Sequence, residues 1–267
     1  MLTFTVEWKR SKKSIRTLRW FQEGDPRERK GERRNVQVKV KPHPAFPAIY
    51  QVTLADEGTR LATKNFAPGR KVYGERLVTH KGVEYRLWDP FRSKLAAAIH
   101  NGLKKFPIEP SNEVLYLGAA SGTTASHVSD ILGMKGYVYC VDFAPRTVRE
   151  LINNVCAFRS NMAPILEDAR SPEKYAMFIK GKVDVVYCDI AQPEQAKILA
   201  DNADQFLRRS GWTVLAVKAQ SIDVTEKPSK IYKRETKVLQ KRGFNIEETL
   251  SLEPYDKAHS MIVANAD

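Results

Sequence analysis

Five apolar runs punctuate the sequence between residues 114 and 218, and each gives way to a polar or amphipathic stretch. They read "VLYLG", "GYVYCVD", "MAPILED", "VDVVYCD" and "GWTVLAVK". Between and after them the apolar spacing changes to that of helices: residues 123–132, "APRTVRELINNV", a short stretch after 168, "PEQAKILADNADQFL" and "KPSKIYKRETKVLQKRG". Strand–helix alternation of this kind predicts an α/β fold, a parallel sheet with helices on both faces. In such sheets ligands bind at the carboxyl ends of the strands. "FNIEETLSL" and "HSMIVAN" predict a closing pair of strands.

Upstream the text differs. "NVQVKVKP" alternates with period two, "AIYQVTLAD" follows as a second strand, and "RLVTHKGVEYRLW" reads as two strands about a turn at Lys81-Gly82. "APGRKVYGE" contains a Pro-Gly turn. A small antiparallel β domain is expected over 36–90, followed by the sheet domain over 91–267. "DPFRSKLAAAIHNGLKKF" predicts the first helix, with Asp89 as N-cap and Pro90 at its first position. Residues 1–35 read as a basic extension, with "TFTVEW" as a strand and "PRERKGERR" as a solvated loop.

The loop after the first apolar run narrows the ligand. A P-loop needs a Lys after its last Gly, and none follows Gly122. A dinucleotide fingerprint would place Ala120 and Thr123 where glycines belong. Gly118, Ala120 and Gly122 fit G-x-[GA]-x-G, a spacing suited to a nucleoside with a zwitterionic tail. Asp142 ends the next strand, where a carboxylate accepts both ribose hydroxyls. Asp168 ends the third, in reach of an adenine amino group. Each aspartate alone is more often a helix cap than a ligand contact; the ordered set points to S-adenosylmethionine.

These stretches resemble the fibrillarin family, in particular its archaeal-type rRNA/tRNA 2'-O-methyltransferases. The motifs that carry the resemblance are "ATKNFAPGRKVYGE", "YRLWDPFRSKLAAAI", "LYLGAASGTTASHVSDI", "VYCVDFAPR", "DAR", "DVVYCDIAQPEQA" and "AVKAQSID", within a span of about 38–267. The resemblance implies a Rossmann-like class I S-adenosylmethionine-dependent methyltransferase sheet behind a small N-terminal antiparallel β domain. It implies cofactor contacts at Thr123, Thr124, Asp142, Phe143, Asp168, Ala169, Asp189, Ile190, Ala191 and Gln192. It implies a K-D-K core of Lys94, Asp189 and Lys218, with His259 as the fourth catalytic member. No metal is required. Lys218 is the expected base, because a second ammonium and a sulfonium nearby disfavour its charged form. The implied partners are a box C/D guide RNA with its rRNA or tRNA substrate, a Nop-family scaffold protein and a kink-turn-binding ribosomal-type protein.

Charge agrees with an RNA partner. Lys and Arg number 44 against 31 Asp and Glu, a net +13, and such an excess favours a polyanion. Residues 1–40 hold 12 of the former and 5 of the latter, hence +7 of that excess. No apolar run approaches the roughly 20 residues of a membrane helix, and "MLTFTVEWKRSKKS" lacks an apolar signal core. Cys140, Cys156 and Cys188 are an odd number at no metal-ligand spacing, which predicts reduced thiols. A cytoplasmic protein is expected, or a nucleolar one in a eukaryote. Alternatives remain open at this level: a stand-alone ribose methyltransferase with the same core, a non-catalytic RNA-binding subunit, and a dehydrogenase, which the broken dinucleotide fingerprint disfavours.

Overall fold

The computed structural model describes residues 38–266, and the features expected of "TFTVEW" and "PRERKGERR" lie outside them. The chain first forms five strands: β1 (Lys39–Pro42), β2 (Ile49–Leu54), β3 (Gly58–Lys64), β4 (Leu77–His80) and β5 (Val83–Leu87). They make one antiparallel sheet in the order β1-β2-β3-β5-β4. The β4–β5 turn falls at Lys81 and Gly82, both with positive φ, as a two-residue hairpin of matching twist requires. Strand β3 was not anticipated: "GTRLATK" has too few apolar positions, and it pairs on both sides through its backbone.

Helix α1 (Lys94–His100) begins four residues later than expected. Ser93 is the N-cap and accepts from the Ala96 amide at 3.4 Å. Asp89 instead closes a turn of its own, its Oδ1 accepting from Phe91 N and its carbonyl from Arg92 N. Gly102, at φ +86°, follows the end of the helix, so "GLKKF" is not helical.

The alternating half follows the predicted order: β6 (Glu113–Leu117), α2 (Thr123–Leu132), β7 (Tyr137–Asp142), α3 (Pro145–Asn154), β8 (Met162–Leu166), β9 (Val183–Cys188), α4 (Gln195–Phe206) and β10 (Leu207–Lys218). The short stretch after 168 forms two 3-10 turns. Then come α5 (Ala219–Ile222), α6 (Pro228–Lys241), β11 (Phe244–Ser251) and β12 (His259–Ala266). Seven strands pair in the order β11-β12-β10-β9-β6-β7-β8. Those from β6 to β10 are parallel, and β12 runs antiparallel to β10 and β11.

Along β6 the side chains alternate between two cores. Val114 and Tyr116 enter one, Leu115 and Leu117 the other, as a strand covered on both faces demands. The first core also takes in Ile49, Leu61 and Trp88, which seats the small sheet against this face. Strand order reverses between β6 and its neighbours β7 and β9, and the crevice at such a switch point is where an α/β sheet binds its ligand. Cys140 and Cys188 are buried free thiols, and Cys156 is a partly buried one. No helix among the described residues is long and apolar enough to cross a membrane.

Candidate active site

The turn out of β6 is shaped by what it must avoid. Gly118 has φ +82°, and a Cβ there would lie 2.8 Å from the Asp189 carbonyl oxygen. A side chain would push apart the ends of β6 and β9, which the Asp189 amide joins by donating to the Leu117 carbonyl at 2.9 Å. Ala120 also takes positive φ, +47°, and its amide donates to Asp142 Oδ2 at 2.9 Å. Gly122 is needed for a different reason: its Cβ would strike Leu151 and Val155 of the α3 region. It therefore serves packing and the start of α2.

A cleft opens over these strand ends. Gly118, Ala120, Val141, Asp142, Phe143, Glu167, Asp168, Ala169, Arg170, Asp189, Ile190, Ala191, Gln192, Ile198 and Lys218 line it. Most of the residues expected at the cofactor thus come together, while Gly122, Thr123 and Thr124 stand outside this lining. Thr124 is buried, and its hydroxyl donates to Ser93 Oγ at 3.0 Å, tying the Gly loop to the cap of α1.

The cleft suits a nucleoside sulfonium. Asp142 Oδ1 accepts from Ala144 N at 3.0 Å and Thr147 Oγ1 at 3.2 Å, which fixes the carboxylate at the cleft wall. Phe143 is 63% exposed beside Val141 and Ile190, an apolar surface for a base to lie on. Asp168 is held by Arg170, whose guanidinium hydrogen bonds lower the carboxyl below its usual range.

Beside the cleft four chain segments bring charged groups together. Lys218, the last residue of β10, has its Nζ 2.9 Å from Asp189 Oδ1 and donates to the Asp189 carbonyl at 2.6 Å. Lys94, the first residue of α1, approaches the same Oδ1 at 3.3 Å. Burial alone would lower the Lys94 amine, but Asp189 and Asp256 outweigh it and its pKa is raised. His259 opens β12 directly opposite Lys218 in the ladder. The four residues expected to carry the chemistry are thus gathered from positions 94, 189, 218 and 259.

Two further residues of this site were not foreseen. Asp256 pairs with both Lys94 (3.6 Å) and His259 Nδ1 (2.8 Å). Its only trace in the sequence is an Asp-x-x-His spacing. Gln195, fully buried, accepts from the Lys218 amide at 2.9 Å and donates to the Lys218 carbonyl at 3.3 Å. It thereby holds the strand end that carries the lysine. It lies in "PEQA", where the apolar spacing of α4 gave no reason to single it out.

The fibrillarin family model matches residues 40–267. A fibrillarin-like rRNA/tRNA 2'-O-methyltransferase of Pyrobaculum calidifontis is 56% identical over 228 residues, 85% of this chain and 97% of that one. The crystal structure of Aeropyrum pernix fibrillarin with natively bound S-adenosyl-L-methionine is 50% identical with a TM-score of 0.80, covering 86% of this chain and 99% of that one. The structure of a fibrillarin/Nop5p complex is 40% identical with a TM-score of 0.72, covering 85% and 100%.

Proposed function

The chain belongs to the fibrillarin family, and we propose that its four-residue site beside the cofactor cleft carries RNA ribose methylation within a guide ribonucleoprotein. The protein is an S-adenosylmethionine-dependent RNA 2'-O-methyltransferase. A Nop-family scaffold and an RNA substrate are its partners, in line with the fibrillarin/Nop5p complex. The finer assembly, with a box C/D guide RNA and a kink-turn-binding protein, is our reading.

One observation carries the assignment of the site. Asp189 and Lys218 line the cofactor cleft, whereas outside its lining Lys94 is within ion-pair reach of Asp189, His259 is directly across the ladder from Lys218, and Asp256 joins Lys94 to His259. A methyl held in the cleft would therefore be offered across Asp189 and Lys218 to a hydroxyl arriving from the outer side. When bound, S-adenosylmethionine supplies an electrophilic methyl on a sulfonium. Asp142 would then accept the cofactor's ribose hydroxyls, and Phe143 would cover its base. Asp189 holds both lysine side chains in place, an arrangement in which the substrate oxygen, the methyl and the departing sulfur would be kept in line.

Positioning of the RNA falls to the partners. Misplacement by about 1 Å can cost about 100-fold in rate, and the described residues carry basic surface but no base-reading module. Single-turnover methylation of one substrate RNA should be weak with this chain alone and rise when scaffold, kink-turn protein and guide are added. Equal rates at the same nucleotide in both mixtures would favour a stand-alone enzyme.

A further inference from the structure

The 252–258 loop places a carboxylate between two of the site's residues. Asp256 Oδ1 is 2.8 Å from His259 Nδ1, and its Oδ2 is 3.6 Å from Lys94 Nζ. Burial would raise the Asp256 carboxyl, but His259 and Lys94 outweigh it and hold the group below its usual range. The carboxylate is thus ionised with two cation-capable neighbours, and the tighter contact is to the imidazole.

That contact decides the state of the ring. His259 Nδ1 also lies 2.7 Å from the Lys257 carbonyl oxygen. Carboxylate and carbonyl are both acceptors, so Nδ1 must carry the hydrogen and Nε2 is left bare in the neutral ring. Residues directly opposite in an antiparallel pair share one face of the sheet, and His259 is opposite Lys218. The imidazole therefore stands on the active face.

Lys218 is placed differently. Its amine is engaged twice by one residue, at the carboxylate and the carbonyl of Asp189. Lys94 is drawn to two carboxylates and stays a cation. Among the three nitrogen groups, the neutral imidazole is the one with a lone pair, at Nε2, that stands outside the contacts just described. The charged or titratable groups around it are Asp256 on its own loop, Lys218 on β10 and, through Asp256, Lys94 on α1. Tyr232 on α6 also feels Asp256; burial first, then Glu253 and Asp256, push its hydroxyl up to about 12.

We propose that Asp256 is the positioning residue of an Asp–His pair in which His259 Nε2 takes the proton of the RNA 2'-hydroxyl. The proposal rests on the methyl-transfer reading above. As the ribose oxygen bonds to the methyl carbon, the methyl–sulfur bond breaks and its electron pair stays on sulfur. The hydroxyl proton passes to Nε2, and the Asp256 carboxylate offsets the imidazolium charge. Lys218, the base expected from the sequence, acts here with Lys94 to hold Asp189.

Two measurements test this. Long-range nitrogen–proton NMR on the isolated, histidine-labelled protein should show His259 with Nδ1 protonated and Nε2 bare; a ring protonated at Nε2 overturns the proposal without any activity being measured. Single-turnover methylation in the reconstituted RNA complex supplies the second. Asp256→Asn and His259→Gln should each slow transfer about 100-fold, the lower end for a lost general base. S-adenosylmethionine affinity by calorimetry should stay unchanged in both. The double variant should be no slower than His259→Gln, because residues acting as a unit are not additive. Additive losses, or a wild-type rate in Asp256→Asn, would overturn the pair. A wild-type complex that methylates no RNA would instead contradict the function on which the proposal rests.

Discussion

Asp142 joins recognition to local structure through one side chain. Its carboxylate accepts from Ala120 N, Ala144 N and Thr147 Oγ1, and it also lines the cofactor cleft. Removing it should cost S-adenosylmethionine about 1.5–3 kcal/mol, the range for a hydrogen bond to a charged group, or roughly 10- to 150-fold in affinity. Part of that loss could come from slackening the Gly loop. Thr147→Ala separates the effects, since it removes one protein partner and keeps the carboxylate. Calorimetry should therefore find Asp142→Ala much weaker and Thr147→Ala little changed, and equal affinity in Asp142→Ala would contradict the contact. Asp142 was legible from the sequence because it closes an apolar run one strand after a glycine turn. Gly122 was legible as a necessary glycine but not for its reason, which is the approach of Leu151 and Val155. Asp256 and Gln195 had no such marker. Each matters through a contact that the tertiary packing makes, Asp256 with Lys94 of α1 and Gln195 of α4 with the end of β10, and neither stands at the end of an apolar run.

At the scale of elements, the small sheet is bound to α2 by a buried polar network. Arg86 of β5 pairs with Asp130 of α2 at 2.8 Å and with Glu75 at 2.7 Å, and Arg159 pairs with Asp130 at 2.6 Å. Thr63 of β3 donates to Asp130 and contacts His127 Nδ1, while Tyr73 contacts His127 Nε2. His127 stacks on Trp88 with ring centroids 4.8 Å apart. The Gly loop, whose Gly118 and Ala120 line the cleft, leads directly into α2, so this network steadies the helix that follows that loop. None of it could be read from the sequence, because the partners are separated by up to 67 residues and no periodicity relates them. The helix–strand alternation was readable for the opposite reason: each element's burial is written in its own spacing. The start of α1 was misplaced because Asp89-Pro90 and Ser93 are both good opening signals, and Ser93 is the one whose oxygen meets the first helical amides.

The same network makes stability pH-dependent. Burial, then Arg86 and Arg159, depress the His127 imidazole well below its usual value. Above about pH 6.5, the reference value, the ring is neutral in both folded and unfolded chains and contributes no slope. Below it the unfolded chain binds a proton that the folded one refuses, so stability falls as pH falls. Denaturant unfolding followed from pH 7.5 to 5 should show this loss, and His127→Gln should reduce the slope. An identical slope in the variant would contradict the assignment.

For the whole molecule the governing quantity is charge. The excess of +13 is divided between +7 in residues 1–40 and +6 in the remainder, and the family match begins at residue 40. The family therefore shares the catalytic body, while the most basic stretch lies ahead of it. Phosphate contacts lower log K in proportion to log salt, at about 0.7–0.9 per contact. Deleting residues 1–35 should flatten the salt dependence of RNA binding while leaving the position of methylation unchanged. An unchanged slope would show that these charges do not meet the RNA.

Asp189 and its two lysines are proposed to deliver the cofactor's methyl to a ribose oxygen. This is tested most directly by mapping the label. Substrate RNA, guide, scaffold and kink-turn protein would be combined with methyl-labelled S-adenosylmethionine, and the RNA read by mass spectrometry after nuclease digestion. One 2'-O-methylated nucleotide is expected with the wild-type chain and none above background with Asp189→Ala. Label on a base, or 2'-O-methylation that persists in Asp189→Ala, would contradict it.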